Sequence, residues 1–403
     1  VTRAAAMAGV LGVYHAGDLV AGGVASFPND VDTRGPLVPN RDGSLMADPP
    51  YFPLARGRVR HVGDPVAMVV AETRAMAEEA CAAIKVDYAV LPPVIHTAHA
   101  TDAGKVQIWN EAPGNVCFDW VAGDEVATET ALAGAHHVAS LELVNNRVIT
   151  AFLEPRAALG SYHAGTGEFL IHVGCQGLHT LQRRLAHALR VDARRIWVVS
   201  GDVGGGFGSR SVAYPEYVAV LWAARELGRP IKWTARRDEE FCATVQARDT
   251  ILKGRLGLDG DGNFVGLRLD SICNLGAYHT ANGPFTQLRN LTRMMAGTYC
   301  TPAIYLELTG VFTNKVPISS YRGVGRMEAI TILERLIDEA ARETGMDRVE
   351  LRCRNLIPPQ AMPYETPTGA VYDSGEYAAN MDMAMEMADW DGFEARREAA
   401  VQS

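Results

Sequence analysis

No two cysteines stand in a C-x-x-C pair. The seven present, Cys81, Cys117, Cys175, Cys242, Cys273, Cys300 and Cys353, are widely dispersed. This speaks against a zinc ribbon or an iron–sulfur cluster held within the chain. An odd, scattered set fits a reducing cytosol. Long apolar runs are also lacking. Residues 218–224 (VAVLWAA) form one of the longest, far short of the ~20 residues that cross a bilayer. There is no basic excess: 38 Lys and Arg stand against 47 Asp and Glu, a net charge of −9. Nucleic acid is therefore not the expected main partner. The first residues lack the charged-then-apolar order of a secretory signal, so the expected location is cytoplasmic. The sequence starts at Val1 rather than Met, and is expected to be a piece of something longer.

What is present is the composition of a globular protein, with 48% hydrophobic and 21% charged residues. At 403 residues, two or three domains are expected. Residues 65–71 predict a strand, 72–84 a helix and 84–90 an alternating strand closed by Leu91-Pro-Pro. Together they make a compact α/β unit. Residues 22–58, rich in Gly, Pro, Asn and Asp, predict a long loop, and 96–116 a connector. In the larger region that follows, strands are expected at 169–173, 195–199 and 230–234. Helices are expected at 178–190 and 212–227. Residues 251–276 alternate about Asp259-Gly-Asp-Gly, which predicts a hairpin. The alternative, a calcium loop, lacks the twelve-residue spacing and the closing Glu. A long helix should end at Gly345, and a short one should start at Asp347. None of the eleven histidines forms an H-E-x-x-H motif. The expected class is mixed α/β.

The stretch that demands an explanation is SGDVGGGFGSR, residues 200–210, with five glycines and Phe207 among them. Backbone N–H groups in a loop between strand and helix bind anions well. The familiar motifs nevertheless fail. The dinucleotide fingerprint would need glycine at Ser209 or Ser211, and the P-loop would need Lys at Phe207. A nucleophile elbow would need glycine at positions 207 and 211, which hold Phe and Ser. A tight turn that merely packs a helix on a sheet stays open at this point. Two more pieces bear on it. SSYRGVGRMEA, residues 319–329, places Arg322 and two glycines before a helix start, where a guanidinium can join the helix dipole in holding an anion. GCQGLH, residues 174–179, places Gln176 before another helix.

In order along the chain, these pieces resemble the molybdopterin-binding large subunit of the xanthine dehydrogenase family of molybdenum hydroxylases. That family includes aldehyde oxidases and aerobic carbon-monoxide dehydrogenases. Residues 202–210 are similar to its glycine–phenylalanine loop, with Arg210 where Lys is commoner. Residues 320–326 are similar to its arginine loop, and FLEPR, residues 152–156, to a Met-Glu-Pro-Arg segment. GDPVAMVVAET, residues 63–73, is similar to its small α/β hammerhead domain. The resemblance implies a hammerhead-like α/β domain over 1–95, N-terminally incomplete, and a linker over 96–116. A first molybdopterin-binding α/β domain would cover 117–358, and the start of a second 359–403. It implies a molybdenum–molybdopterin cofactor in the cytosine dinucleotide form. The metal would be held through the pterin dithiolene, with no direct protein ligand. Gln176 would hydrogen-bond an oxo group. Gly205, Gly206, Phe207 and Gly208 would wall the site, and Arg322 would contact oxygen ligands or stabilise developing negative charge.

The reaction implied is insertion of oxygen from water into a C–H bond of a small molecule. The electrons would leave to a two-iron two-sulfur subunit and an FAD subunit, within a homodimer of heterotrimers. Copper-containing carbon-monoxide dehydrogenases of the family carry Cys after the loop arginine. Here Gly323 offers no ligand for copper(I), so an aldehyde or heteroaromatic substrate is expected instead. Ser211, Asn290 and Val324 are the pocket candidates. Ser211 and Asn290 stand where purine hydroxylases carry Glu and a second Arg, which makes xanthine an unexpected substrate. The family's general-base Glu lies downstream of this chain, and Glu376 comes too early to serve. The chain is thus expected to be a fragment, or to need a second chain for the other half. The alternative is a non-catalytic scaffold that docks partners. A nicotinamide dehydrogenase is disfavoured by the glycine spacing.

Overall fold

The computed structural model describes residues 1–28 and 38–402. In its described part, the loop expected over 22–58 has no helix or strand beyond one isolated bridge between Pro39 and Leu45. Residues 29–37 of that loop lie outside the described residues.

The N-terminal unit pairs β1 (Val10–His15) with β2 (Ala67–Ala71) in antiparallel fashion, and α1 (Arg74–Ala82) follows. The apolar run at 65–71 becomes β2 as expected. The Thr73 hydroxyl caps α1 by accepting the Met76 amide at 3.3 Å. β1 is a strand through its distant pairing, which no local pattern announces. The strand expected over 84–90 does not form. Its alternation survives in an unpaired run, leaving Val86, Tyr88 and Val90 exposed. Alternation creates a face, but a strand also needs a neighbouring edge, and none of the described residues supplies one here.

The larger region contains, in order, β3 (Val116–Gly123), α2 (Glu125–Gly134), β4 (His137–Asn145), β5 (Ala157–His163) and β6 (Glu168–Val173). Next come α3 (Leu178–Leu189), β7 (Ile196–Val199), α4 (Pro215–Leu227), β8 (Ile231–Thr234) and β9 (Thr250–Leu258). β10 (Phe264–Gly276), β11 (Ile304–Phe312), α5 (Arg326–Thr344) and α6 (Arg348–Asn355) follow, with shorter elements between them. One sheet has the order β3–β11–β10–β9–β4, antiparallel except between β10 and β11. The other has the order β7–β6–β5–β8, with only β6 and β7 parallel.

Helices cover these sheets where glycine leaves room. A Cβ on Gly254 of β9 would sit 2.5 Å from Leu336 of α5, so bare backbone lets that helix close on the sheet. Of the apolar face that the sequence offers on α5, Leu333, Leu336, Ile337 and Ala340 are buried, joined by Ile332, while Met327 and Ile330 near its start are exposed. The 259–262 turn is the expected hairpin: the Asp259 carboxylate accepts the amides of Asp261 and Asn263. Asp347 caps α6 by accepting from Val349 and Glu350.

Residues 96–116 are no loose tether. The Trp109 indole donates to the Ala277 carbonyl at 2.7 Å, and buried Asn115 donates to the Ala100 and Val106 carbonyls. Past residue 358, α7 (Tyr377–Met387) and α8 (Phe393–Gln402) bury none of their residues. No helix among the described residues is long and apolar enough to cross a membrane.

Candidate cofactor site

Parallel neighbours β6 and β7 set His172 beside Val199, so both strands end at the same edge of the sheet. Such carboxyl ends are where open α/β sheets place ligands. Gln176 follows β6 and the glycine loop follows β7. The Gly208 amide donates to Gln176 Oε1 at 2.7 Å. A Cβ on Gly206 would lie 2.7 Å from the Gln176 carboxamide carbon, so only glycine allows this approach.

The loop is braced from behind. Glu154 accepts the Gly204 amide at 2.7 Å and pairs with Arg210 at 3.2 Å. Arg210 is buried, with its guanidinium 4.6 Å from the Phe152 ring centroid and donating to the Glu154 carbonyl. It faces the fold and not the site. Arg156, fully buried, pairs with Glu216 at 2.9 Å and Glu240 at 3.1 Å. Burial alone would favour its neutral form, but Glu216, Tyr214, Tyr217 and Glu240 raise its pKa above the ordinary arginine value. The FLEPR segment therefore anchors the loop. Glu154 is a site-supporting residue whose individual role the motif could not specify.

The sequence reading runs the glycine loop straight into a helix. In the structure, the turn Ser209–Ser211 intervenes and α4 begins at Pro215, after Tyr214. The fixed φ of proline suits that first helical position. The loop's donors are therefore its own backbone amides, not those of the α4 N-terminus.

The arginine loop packs onto the glycine loop from the other sheet. The Arg322 amide donates to the Phe207 carbonyl at 2.9 Å. A Cβ on Gly208, whose φ is +104°, would lie 2.7 Å from the Ser320 carbonyl oxygen. Gly325 has φ +79°, and its Cβ would fall 2.0 Å from the Thr286 oxygen and 3.0 Å from Asn290 Cβ. Gln176, Gly205, Gly206, Phe207, Gly208 and Arg322 thus share one patch, with Asn290 beside its arginine loop. Val324 lies in the arginine loop with φ +39°. The Ser211 hydroxyl donates to the Gly208 carbonyl at 2.6 Å and accepts from Asn282 at 2.9 Å, underneath the glycine loop.

The patch has donors to spare. Among the described residues, the Gly206 and Phe207 amides have no acceptor, and the Arg322 guanidinium has no hydrogen bond or ion pair. With its carbonyl engaged, Gln176 keeps its NH2 group as a donor. Phe207, 46% exposed, stands as an open wall. Burial pushes the neighbouring Cys175 thiol pKa up, against the opposing pull of Ser200 and Arg210, so the thiol stays protonated at neutral pH. The described residues hold no group of three or more His, Cys, Asp or Glu that could bind a metal ion. A donor-rich, ligand-poor patch fits an oxygen-rich cofactor that brings its own metal ligands.

Comparison with known proteins agrees. Residues 108–356 match the molybdopterin cofactor-binding domain, and 1–92 the aldehyde oxidase and xanthine dehydrogenase a/b hammerhead domain. The chain belongs to the molybdopterin-binding large-subunit family of the molybdenum hydroxylases. The carbon monoxide dehydrogenase large chain of Hydrogenophaga pseudoflava is 31% identical over 360 residues, 86% of this chain and 45% of that protein. The nicotine 6-hydroxylase large subunit of Paenarthrobacter nicotinovorans is 32% identical over 353 residues, 86% of this chain and 42% of its own. Quinoline 2-oxidoreductase from Pseudomonas putida 86 superposes with a TM-score of 0.88 at 31% identity, covering 100% of this chain and 50% of that one. The chain therefore spans about half the length of these molybdenum hydroxylase relatives.

Proposed function

We propose that this chain is the part of a molybdenum hydroxylase large subunit that holds the metal end of a molybdenum–molybdopterin cofactor. The proposed activity is hydroxylation of an aldehyde or heteroaromatic C–H with water: R–H plus H2O gives R–OH, two protons and two electrons. When bound, the cofactor would supply the two-electron redox chemistry. The residues of this chain bind and orient. The Gln176 NH2 and the Gly206 and Phe207 amides would donate to the cofactor's oxygens. The Phe207 ring would shield one side from water, and the Arg322 guanidinium would offset negative charge that develops as substrate reacts. Ser211, Asn290 and Val324 are the proposed substrate-side residues. Ser211 acts through the Gly208 carbonyl that it holds.

The observation that carries this reading is the Arg322–Phe207 backbone hydrogen bond. It joins loops from two different sheets around unpartnered donors. The cytosine dinucleotide form of the cofactor belongs to the same proposal. So do iron–sulfur and FAD partner subunits that take the electrons, a dimer of such heterotrimers, and a cytoplasmic setting. The general base would come from the remaining half of the large subunit. Gly323 beside Arg322 leaves no thiol for copper, so carbon monoxide is not the proposed substrate.

The test is molybdenum analysis of the protein produced in a cofactor-making host, alone and together with the other half of a relative's large subunit. Stoichiometric molybdenum with both halves, lost in Gln176→Ala, is the expected result. Molybdenum absent from every combination would sink the proposal. Molybdenum and turnover from this chain alone would overturn the requirement for a second half. Molybdenum without turnover when both halves are present would favour the scaffold reading.

A further inference from the structure

Arg248 and Asp249 form a corner between residues 246–247 and β9, and both are left-handed, with φ of +66° and +65°. Two successive non-glycine residues in this region are disfavoured, and such strain persists only where surrounding contacts over-determine it. Those contacts are two separate sets. Asp249 accepts from Thr97 and Arg147 at 2.7 Å each, and from Lys315 and Asn274 at 3.0 Å each. Arg248 reaches the other way, to the arginine loop.

The Arg248 guanidinium meets both carboxylate oxygens of Glu328 at 3.3 and 3.4 Å. Its second nitrogen donates to the Arg322 carbonyl at 2.7 Å. It also lies 5.4 Å from the Tyr321 ring centroid, and a Cβ on Gly323 would come within 3.5 Å of it. Glu328 is fully buried in the first turn of α5. Arg322 is therefore held at two backbone points: its amide by the Phe207 carbonyl and its carbonyl by Arg248. Its own guanidinium makes no hydrogen bond or ion pair among the described residues.

We propose that Arg248, backed by Glu328, is the positioning residue for Arg322. It fixes the arginine loop against the glycine loop so that the Arg322 guanidinium is presented ready-made. The importance of this for catalysis rests on the role proposed above for Arg322; the positioning itself does not. A preorganised cation needs no reorganisation when charge develops, and a planar guanidinium whose one nitrogen meets Glu328 and whose other meets the Arg322 carbonyl holds a loop in a way that a lysine point charge cannot.

Hydrogen exchange on the intact chain tests this without cofactor. Four proteins are compared: wild type, Arg248→Lys, Arg248→Met and Arg248→Met/Glu328→Met. The double variant removes the uncompensated buried carboxylate that would otherwise destabilise the single one. Loss of a charge-assisted hydrogen bond should speed exchange in peptides covering 320–326 and 205–209 by roughly ten- to a hundredfold in Arg248→Met. The double variant should regain thermal stability yet keep the fast loop exchange, and Arg248→Lys should restore protection only in part. Two results would overturn the proposal: unchanged exchange at 320–326 in Arg248→Met, or a double variant that recovers stability and loop protection together. In molybdenum-loaded enzyme, Arg248→Met should lower kcat at least tenfold with KM within about threefold. If wild type never takes up molybdenum, the functional proposal falls, while the exchange comparison still decides the positioning.

Discussion

Replacing Gly208 with alanine probes the meeting of the two loops directly. The added Cβ would stand 2.7 Å from the Ser320 carbonyl oxygen and 3.0 Å from its carbon, at a φ of +104° that side-chain-bearing residues rarely adopt. The loop cannot give way on its following side, because Ser209 and Arg210 are 1% and 2% exposed. The residue also donates to Gln176 at 2.7 Å. Left-handed strain costs about 1–3 kcal/mol and a weakened hydrogen bond about 1 more, so a loss of about 2–4 kcal/mol is expected. In a domain of 150–250 residues each kcal/mol moves Tm by about 2–4 °C, giving a fall of about 4–16 °C. Gly201, in the same stretch, has open space around its would-be Cβ. Gly201→Ala should therefore stay within about 0.5 kcal/mol of wild type. Circular-dichroism melting of the two variants side by side is the assay. Equal Tm values for Gly208→Ala and Gly201→Ala would show that the loops are not packed as described.

Gln176→Glu keeps an acceptor for the Gly208 amide but turns the free NH2 into a carboxylate oxygen. Stability should change by less than about 1 kcal/mol while molybdenum content falls at least tenfold, read by metal analysis of the purified protein. Arg322→Ala removes an exposed, unpaired side chain. Its Tm should match wild type, and kcat of the loaded enzyme should drop by about 100-fold or more; turnover within threefold of wild type would remove Arg322 from the mechanism. Burial alone would raise the Asp249 carboxyl pKa, but Arg147, with hydrogen bonds from Thr97, Arg147 and Lys315, holds it below the ordinary 3.8. A depressed carboxyl pKa contributes stability that is present above the unfolded value and lost as pH falls through the folded one. Urea midpoints measured from pH 6 down to about 3 should therefore fall less steeply for Asp249→Asn than for wild type. Parallel curves would remove this carboxylate from the acid sensitivity.

Much of this protein was legible in residue order, where the cause of structure is local. The apolar stripe of α5, the Gly345 stop and the Asp347 cap act within a turn or two of the chain. The Asp259 hairpin likewise needs only its own residues to close. The glycine spacing ruled out the common phosphate motifs, and the cofactor was implied by the family that the glycine loop, the arginine loop and the Gln176 segment together resemble.

What residue order could not carry was whatever depends on a distant partner. The alternation at 84–90 promised a strand that no neighbouring edge completes, and β1 exists through a mate more than fifty residues away. Arg210 read only as the end of the glycine loop, and its place as a buried brace comes from Glu154 and Phe152, which claim it across the fold. Arg248 carried no signal at all, since the left-handed pair it forms with Asp249 and its buried partner Glu328 come together only after both sheets form. Sequence alone determined which backbone and side-chain groups could serve a metal cofactor, because that is a matter of chemistry at each position. Tertiary structure decided which of them face it, because hydrogen bonds reach about 3 Å and only folding brings residues 176, 207, 248 and 322 within that range of their partners.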